Sequence, residues 1–457
     1  MAEHSITVEA TLKTLLEAKK YTTLKDILVT MNGADIAAVL EEISGEKIAL
    51  LFRLLPTELA AEAFVEMTPE LQEQLITELS DTELRAVVDE LYVDDAADLV
   101  DDMPSDVVDR ILRQADPQTR NQINEILRYP ENSAGSIMTT EYCDLSPDMT
   151  ARQAFDRIRS TAVDKETVYT CYVTDGRKLL GVVELKTLLA LKDDNTKVSA
   201  VMDENVISVH TSDDREEIAQ MLSKYNLIAL PVLDSEERMV GIITFDDAMD
   251  VIEEETTEDI EKMAAMLPSE KEYLRSNSFD LFKQRIPWLL LLMVSATFTG
   301  MIITKFENAL AAQVALTAFI PMLMDTGGNS GSQSSVTVIR ALSLGELEFK
   351  DLALVIWKEI KAAVLCGLTL ACACFLKIMI VDRLLLGNSS ITPTVAFVVC
   401  MSMSVTVLVA KIVGCSLPMI ANKLGLAPAV MSSPFITTIV DALSLLVYFT
   451  FATLLLF

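Results

Sequence analysis

The sequence predicts a multidomain chain: an all-α superhelical N-domain, a duplicated α/β module, a connecting plug-like helix and a five-helix α transmembrane domain. Three observations carry this reading. Composition splits near residue 285, with a polar, acidic first part and an apolar, sparsely charged second part. A β-rich pattern occurs twice between residues 136 and 255. About five apolar stretches follow residue 284, each long enough to span a bilayer.

Residues 1–130 read as short helices. Apolar residues recur at three- and four-residue spacing in TLKTLLEA, DIAAVLEEI, EKIALLFRLL, LQEQLITEL and ELRAVVDELY. Proline, Ser-Asp and Met-Pro pairs punctuate them, and strand patterns are absent. The expected arrangement is a stack of helical hairpins.

From residue 136 short β-rich runs alternate with helices. SIMTTEYCDLSPDMTARQAFDRIRS aligns with AVMDENVISVHTSDDREEIAQMLSK, and CYVTDGRKLLGVVELKTLLAL aligns with LPVLDSEERMVGIITFDDAMDVI. This duplication resembles a tandem pair of CBS domains, β-α-β-β-α modules that pair into a disc. The two are assigned to residues 136–200 and 201–255. A charged, mostly helical connector covers 256–283 and leads into a membrane domain over 284–457.

The apolar spans fall roughly at 286–304, 309–339, 353–380, 391–420 and 428–455. The second contains GGNSGS and is expected to be broken there, which a membrane tolerates only where the backbone is buried or lines a cavity. Lys283, Arg285, Arg340, Lys350, Lys358, Lys361 and Lys423 gather on one side and place the N-terminus in the cytoplasm, with a short C-terminus outside. MAEHSITVEA shows no cleavable signal pattern. The seven cysteines have no zinc spacing with the two histidines, His4 and His210, and read as buried or lipid-facing thiols. A net charge of −30 argues against nucleic acid as a partner and suits a protein that meets cations.

Asp441 is the only charged side chain after Lys423. At mid-bilayer a carboxylate costs about 2.5–3.5 kcal/mol on insertion scales, so its default reading is an ion or proton pathway. The second span supplies company: in FIPMLMDTGGNSGSQSSVTVIRAL, Asn329 and Gln333 are four apart and share a helix face that suits a wet channel. Small residues there also suit close helix contact. Asp325-Thr326-Gly327 matches the tripeptide of aspartic proteases, so Asp325 with Asp441 forms a remote alternative, an intramembrane protease dyad.

Arg128-Tyr129-Pro130-Glu131-Asn132-Ser133-Ala134-Gly135, the GGNSGSQSS run and Asp441 after Ser-Pro-Phe resemble the MgtE family of magnesium channels and transporters over nearly the whole chain. The resemblance implies a homodimer in the inner or plasma membrane, with the pore on the two-fold axis and Asp441 of each subunit at a magnesium site lined by Asn329. Ser332 and Ser433 stand where some members carry Asn. Asp325 stands where some carry Gly and is a candidate second cation site at the pore mouth. Mg²⁺ dehydrates reluctantly and is held by one or two carboxylates plus retained waters, which agrees with a paired Asp441 site.

Nine carboxylates and no basic residue lie between Asp246 and Glu261. Further acidic groups occur at 94–102 and 213–217. Repulsion between them would splay the soluble domains, and divalent cations would draw them together. The resemblance implies that cytosolic magnesium closes the pore through such sites, with Asp94, Asp98, Asp214, Glu216, Asp247, Asp250, Glu255, Glu258 and Asp259 as the regulatory ligands. Asn226 stands where some members carry Asp. CBS pairs often bind adenine nucleotides. Thr244 and Asp247 approach the ribose and phosphate pattern, but Glu184 and Thr187 depart from it in the first copy, so ATP is disfavoured. The expected function is Mg²⁺ uptake without covalent chemistry. Transport of Co²⁺ or Mn²⁺ is the nearer alternative.

Overall fold

The computed structural model describes residues 2–43, 47–269, 273, 276–388, 390–431 and 433–456. It divides into two compact units, Met1–Ile252 and Glu253–Phe457.

Among the described residues of the first unit, ten short helices run from α1 (Ala2–Glu17) through α8 (Val93–Asp102) to α10 (Pro117–Ile126). The expected three- and four-residue periodicity places Leu24, Ile36, Leu40, Leu75, Leu84, Ile111 and Ile123 in one buried core. Polar starts set the helix ends. Ser80 and Glu83 form a reciprocal capping box, and Asp116 accepts from the backbone of Gln118 and Thr119.

The duplication is visible in the strands. β1 (Tyr142–Leu145) lies parallel to β2 (Thr167–Asp175), which runs antiparallel to β3 (Lys178–Glu184). β4 (Val209–His210), β5 (Ala229–Leu233) and β6 (Met239–Thr244) repeat that order. Helices α11 (Ala151–Thr161) and α13 (Arg215–Tyr225) follow the first strand of each copy. The copies also exchange equivalent contacts: Thr139 pairs with Ile242 and Asp203 with Val182. α13 ends on Asn226, which takes the left-handed backbone conformation that Asn tolerates better than most residues. α14 (Phe245–Met263) continues from β6 as one helix.

The second unit holds α15 (Ser278–Lys305), α16 (Glu307–Ala312), α17 (Ile320–Ser343), α18 (Leu352–Lys377), α19 (Pro393–Lys423) and α20 (Ser433–Leu456). Among the described residues four helical runs are long and apolar enough to cross a membrane: Ser278–Lys305, Phe349–Leu385, Pro393–Lys423 and Pro434–Leu456. The fifth expected span is α17, whose polar residues set it apart. The expected break at GGNSGS is not found. α17 runs through it without interruption, and the chain instead breaks earlier, in α16 and the 3₁₀ segment Val314–Phe319. Helix propensity alone disfavours these glycines, but close packing offsets that cost: Gly327, Gly328 and Gly331 are buried against α19 and α20.

Backbone contact is tightest where α17 meets α19. A Cβ on Gly414 would collide with the Gly331 carbonyl oxygen. The Gly414→Ala variant is therefore expected to lose about 1–3 kcal/mol of stability, the usual cost of overpacking. Thermal unfolding of the detergent-solubilised protein checks this, and an unchanged midpoint would refute the close contact.

Candidate functional site

α17 has two unlike faces. Its glycines, with Ser330, Ser334 and Ser335, are buried, while Asp325, Asn329 and Gln333 recur every four residues on the exposed side. The amide Nδ2 of Asn329 donates to Asp325 Oδ1 at 3.1 Å. Asp441 is half-buried on α20. Its neighbour Val440 packs at Gly327, and the Asp325 carboxylate acts on Asp441 electrostatically. The structure thus brings the sequence-predicted Asp325, Asn329 and Asp441 to one stretch of the α17–α20 contact. Asp325 is paired with an amide there, unlike the two carboxylates sharing a proton that a protease dyad needs. Ser332 lies on α17 between the two faces, and the Ser433 side chain is outside the described residues.

Sequence reasoning missed a second charged feature of this region. Lys411 of α19 and Glu359 of α18 meet beside Ser334, with Nζ 3.5 Å from Oε2. Lys411 could have been found as a charge inside an apolar span. Glu359 is masked in the sequence by Lys358 and Lys361.

The acidic residues of the first unit gather unevenly. Asp94 and Asp95 on α8 lie within electrostatic reach of Glu141, Glu166 and the Asp246–Asp247 pair that opens α14. Asp94 Oδ1 and Glu166 Oε2 are enclosed and make no hydrogen bond with the described residues. Burial pushes Asp95 up to about 6 and Glu166 up to about 8, and repulsion from Asp247 adds to both. Burial, then Asp247, holds Asp94 well above the usual carboxylate range. Asp247 is raised by burial despite accepting from Thr244. Asp94 and Asp247 were predicted as site residues. Asp95, Glu141 and Glu166 were not, because only the tertiary fold brings them together.

The other predicted regulatory residues lie elsewhere. Asp98 is exposed on α8, and Asp250 is exposed on α14. Asp214 caps α13, accepting from the Glu216 amide at 2.9 Å, and Glu216 accepts from Gln220 at 3.3 Å. Glu255 is half-buried on α14. Glu258 pairs with Lys262 one turn on. Asp259 accepts from the Ser343 hydroxyl, at the end of α17, at 2.8 Å. Among the described residues no three His, Cys, Asp or Glu side chains converge closely enough to hold a metal ion.

Thr244 and Asp247, the candidate nucleotide pair, bond to each other. Asp247 also stands among carboxylates, where a phosphate would be repelled. A cavity in the CBS-like region lies elsewhere. It encloses about 440 Å³ between the two copies and is lined by Tyr169, Tyr172, Lys186, Asp203 and Asn226 among others.

A helical membrane unit with an intramembrane carboxylate, joined to paired α/β modules and a helical N-domain, defines a protein of the cation-transporter class. Comparison with known families agrees. Residues 320–451 match the MgtE divalent cation transporter family, residues 31–132 the MgtE intracellular N domain, and residues 134–194 and 198–254 the CBS domain. The magnesium transporter MgtE of Thermus thermophilus is 37% identical over 343 residues, covering 75% of this chain and 74% of that protein. The magnesium transporter MgtE of Enterococcus faecalis is 35% identical, covering 73% of this chain and 71% of its own length. The crystal structure of the cytosolic domain of the Mg²⁺ channel MgtE in complex with ATP superposes with a TM-score of 0.51 at 34% identity, covering 53% of this chain and 99% of that one. The chain belongs to the MgtE family.

The raised carboxylates carry a pH signature. Protonation is favoured in the folded state, so their stabilising effect is full below the ordinary value of about 4. It is lost as pH rises through about 6 at Asp95 and about 8 at Glu166. With divalent cations chelated, the full chain should therefore become easier to cleave by protease within residues 1–252 between pH 5 and pH 8.5, by roughly tenfold. Cleavage independent of pH would contradict the cluster.

Proposed function

We propose that the chain is a homodimeric Mg²⁺ channel or transporter of the cell membrane, with its N-terminal domains in the cytoplasm. The observation that carries this is Asp441 beside the open face of α17, where Asp325, Asn329 and Gln333 are left uncovered within one protomer. A second copy facing this surface would bring two Asp441 carboxylates to one axis. A hydrated Mg²⁺ held through its waters would offset the cost of placing both charges there. The magnesium transporters named above support Mg²⁺ as cargo, and Co²⁺ or Mn²⁺ remains the competing cargo to exclude. The assignment as a transporter rather than an enzyme rests on the same relatives.

Cytosolic Mg²⁺ closes the pore in this account. The crowded, half-buried carboxylates Asp94, Asp95, Glu166 and Asp247 favour protonation when no cation is near, and a divalent cation would displace those protons. Asp259 supports the link to the pore, because it hydrogen-bonds the last residue of α17. Asp98, Asp214, Glu216, Asp250, Glu255 and Glu258 are assigned as further ligands that assemble when cation is bound. The cavity with Lys186 and Tyr169 is the place we assign to an adenine nucleotide. Lys186, ion-paired there with Glu184, would have to exchange that carboxylate for a phosphate, and the exposed Tyr169 ring suits a base. The relative whose cytosolic domain is in complex with ATP supports a nucleotide as ligand.

In proteoliposomes, Asp441→Asn should lower Mg²⁺ influx by about a hundredfold or more, in line with removing a charge-assisted contact of about 3 kcal/mol. Asp325→Asn should change influx far less, and equal losses would refute the single-site pore. Neutralising Glu255, Glu258 and Asp259 together should leave influx intact but weaken its shut-off by Mg²⁺ on the cytosolic side. Undiminished inhibition would remove these residues from the sensor.

A further inference from the structure

Ser334 of α17, Glu359 of α18 and Lys411 of α19 close a polar triangle inside the membrane domain. The Ser334 hydroxyl donates to Glu359 Oε2 at 2.7 Å, and Lys411 Nζ donates to Ser334 Oγ at 3.1 Å. Lys411 Nζ also stands 3.5 Å from Glu359 Oε2, with the lysine and glutamate side chains 9% and 18% exposed. Either charge alone would be unpaired in a low-dielectric setting, so the two form one unit.

The triangle touches the helix that carries the open face, and it does so in that helix's stretch of small side chains. Between Gly327 and Ser335 the packing face of α17 is glycine and serine, with Ile320 and Leu323 before it and Val338, Ile339 and Leu342 after it. Small side chains let helices approach but interlock poorly, so in this stretch specific bonds add to the resistance against rotation about the axis. Ser334 provides two of these, and Ser335 provides a third to the Met431 carbonyl at 3.0 Å. Gln333 is the residue before Ser334, and Asn329 lies one turn earlier. Side-chain ends sit about 5–6 Å from a helix axis, so a rotation of ~10° moves them by about 1 Å. Mg²⁺ demands near-ideal octahedral geometry, and such a shift is large on that scale.

We propose that the Lys411–Glu359–Ser334 triangle is a positioning element that sets the rotation of α17, and through Asn329 and Gln333 the discrimination among divalent cations. The inference rests on the conduction reading above for its selectivity half only.

The test uses the full chain carrying Gln333→Cys as a reporter. Its modification by a water-soluble methanethiosulfonate is read at residue 333 by mass spectrometry. Two further changes are compared in that background. Ser334→Ala keeps both charges, and Lys411→Met with Glu359→Leu removes both, so neither leaves an unpaired charge. Each should change the labelling rate at residue 333 by about tenfold. Without the reporter, each should shift the ratio of Mg²⁺ to Co²⁺ flux by about tenfold. Labelling within about twofold of the parent in both variants would overturn the proposal. Altered labelling with an unchanged flux ratio would overturn its selectivity half. If the double variant fails to assemble, Ser334→Ala decides alone. A parent chain that passes no Mg²⁺ would defeat the conduction reading, while the labelling would still decide whether the triangle sets the rotation.

Discussion

A carboxylate drawn away from water needs a cation, a proton or several hydrogen-bond donors, and among the described residues this chain half-buries several with no cation beside them. In the first unit Asp94, Asp95, Glu166 and Asp247 crowd one another, and two of their oxygens are enclosed without a hydrogen-bond partner among the described residues. In the second unit Asp441 lies on an otherwise uncharged helix. Glu359 is the contrasting case, because Lys411 and Ser334 answer its charge from within the protomer. The difference separates an internal ion pair from carboxylates that have no cation beside them in the protomer.

Close helix packing makes the membrane site possible. Gly331 against Gly414 lets α17 lie almost backbone to backbone on α19, and the same small residues leave room for Val440 and Thr437 of α20. Asp325, Asn329 and Gln333 are then turned outward as a polar row. A wider separation would carry Asp441 away from that row. The polarity that sets α17 apart from the four more apolar helices is therefore gathered on the one face that the protomer leaves open.

Much of the fold was legible in the sequence because periodicity reports burial directly. The three- and four-residue spacing of α1–α10 and the duplicated strand order of β1–β6 both appear as expected. GGNSGS misled, because intrinsic propensity predicts a break where tertiary contact with α19 and α20 supports a continuous helix. Asp441, Asn329 and Asp325 stood out as polar groups in apolar surroundings, and the structure brings them together. Glu141 and Glu166 carried no such mark, since nothing in their local sequence foretells that they meet Asp95 and Asp247. Thr244 and Asp247 matched a phosphate-binding pattern, but their mutual hydrogen bond and acidic surroundings leave them no part in the cavity.

The account joins two claims: Mg²⁺ passes through the α17–α20 site, and Mg²⁺ at the cytosolic domains closes it. Ion-substitution current recording from the purified full-length protein in a planar bilayer addresses both at once. With Mg²⁺ as the sole permeant cation, the account predicts a current that survives removal of Na⁺ and K⁺ and falls when Mg²⁺ is raised on the cytosolic face alone. The absence of any Mg²⁺-carried current, or a current indifferent to cytosolic Mg²⁺, would contradict it.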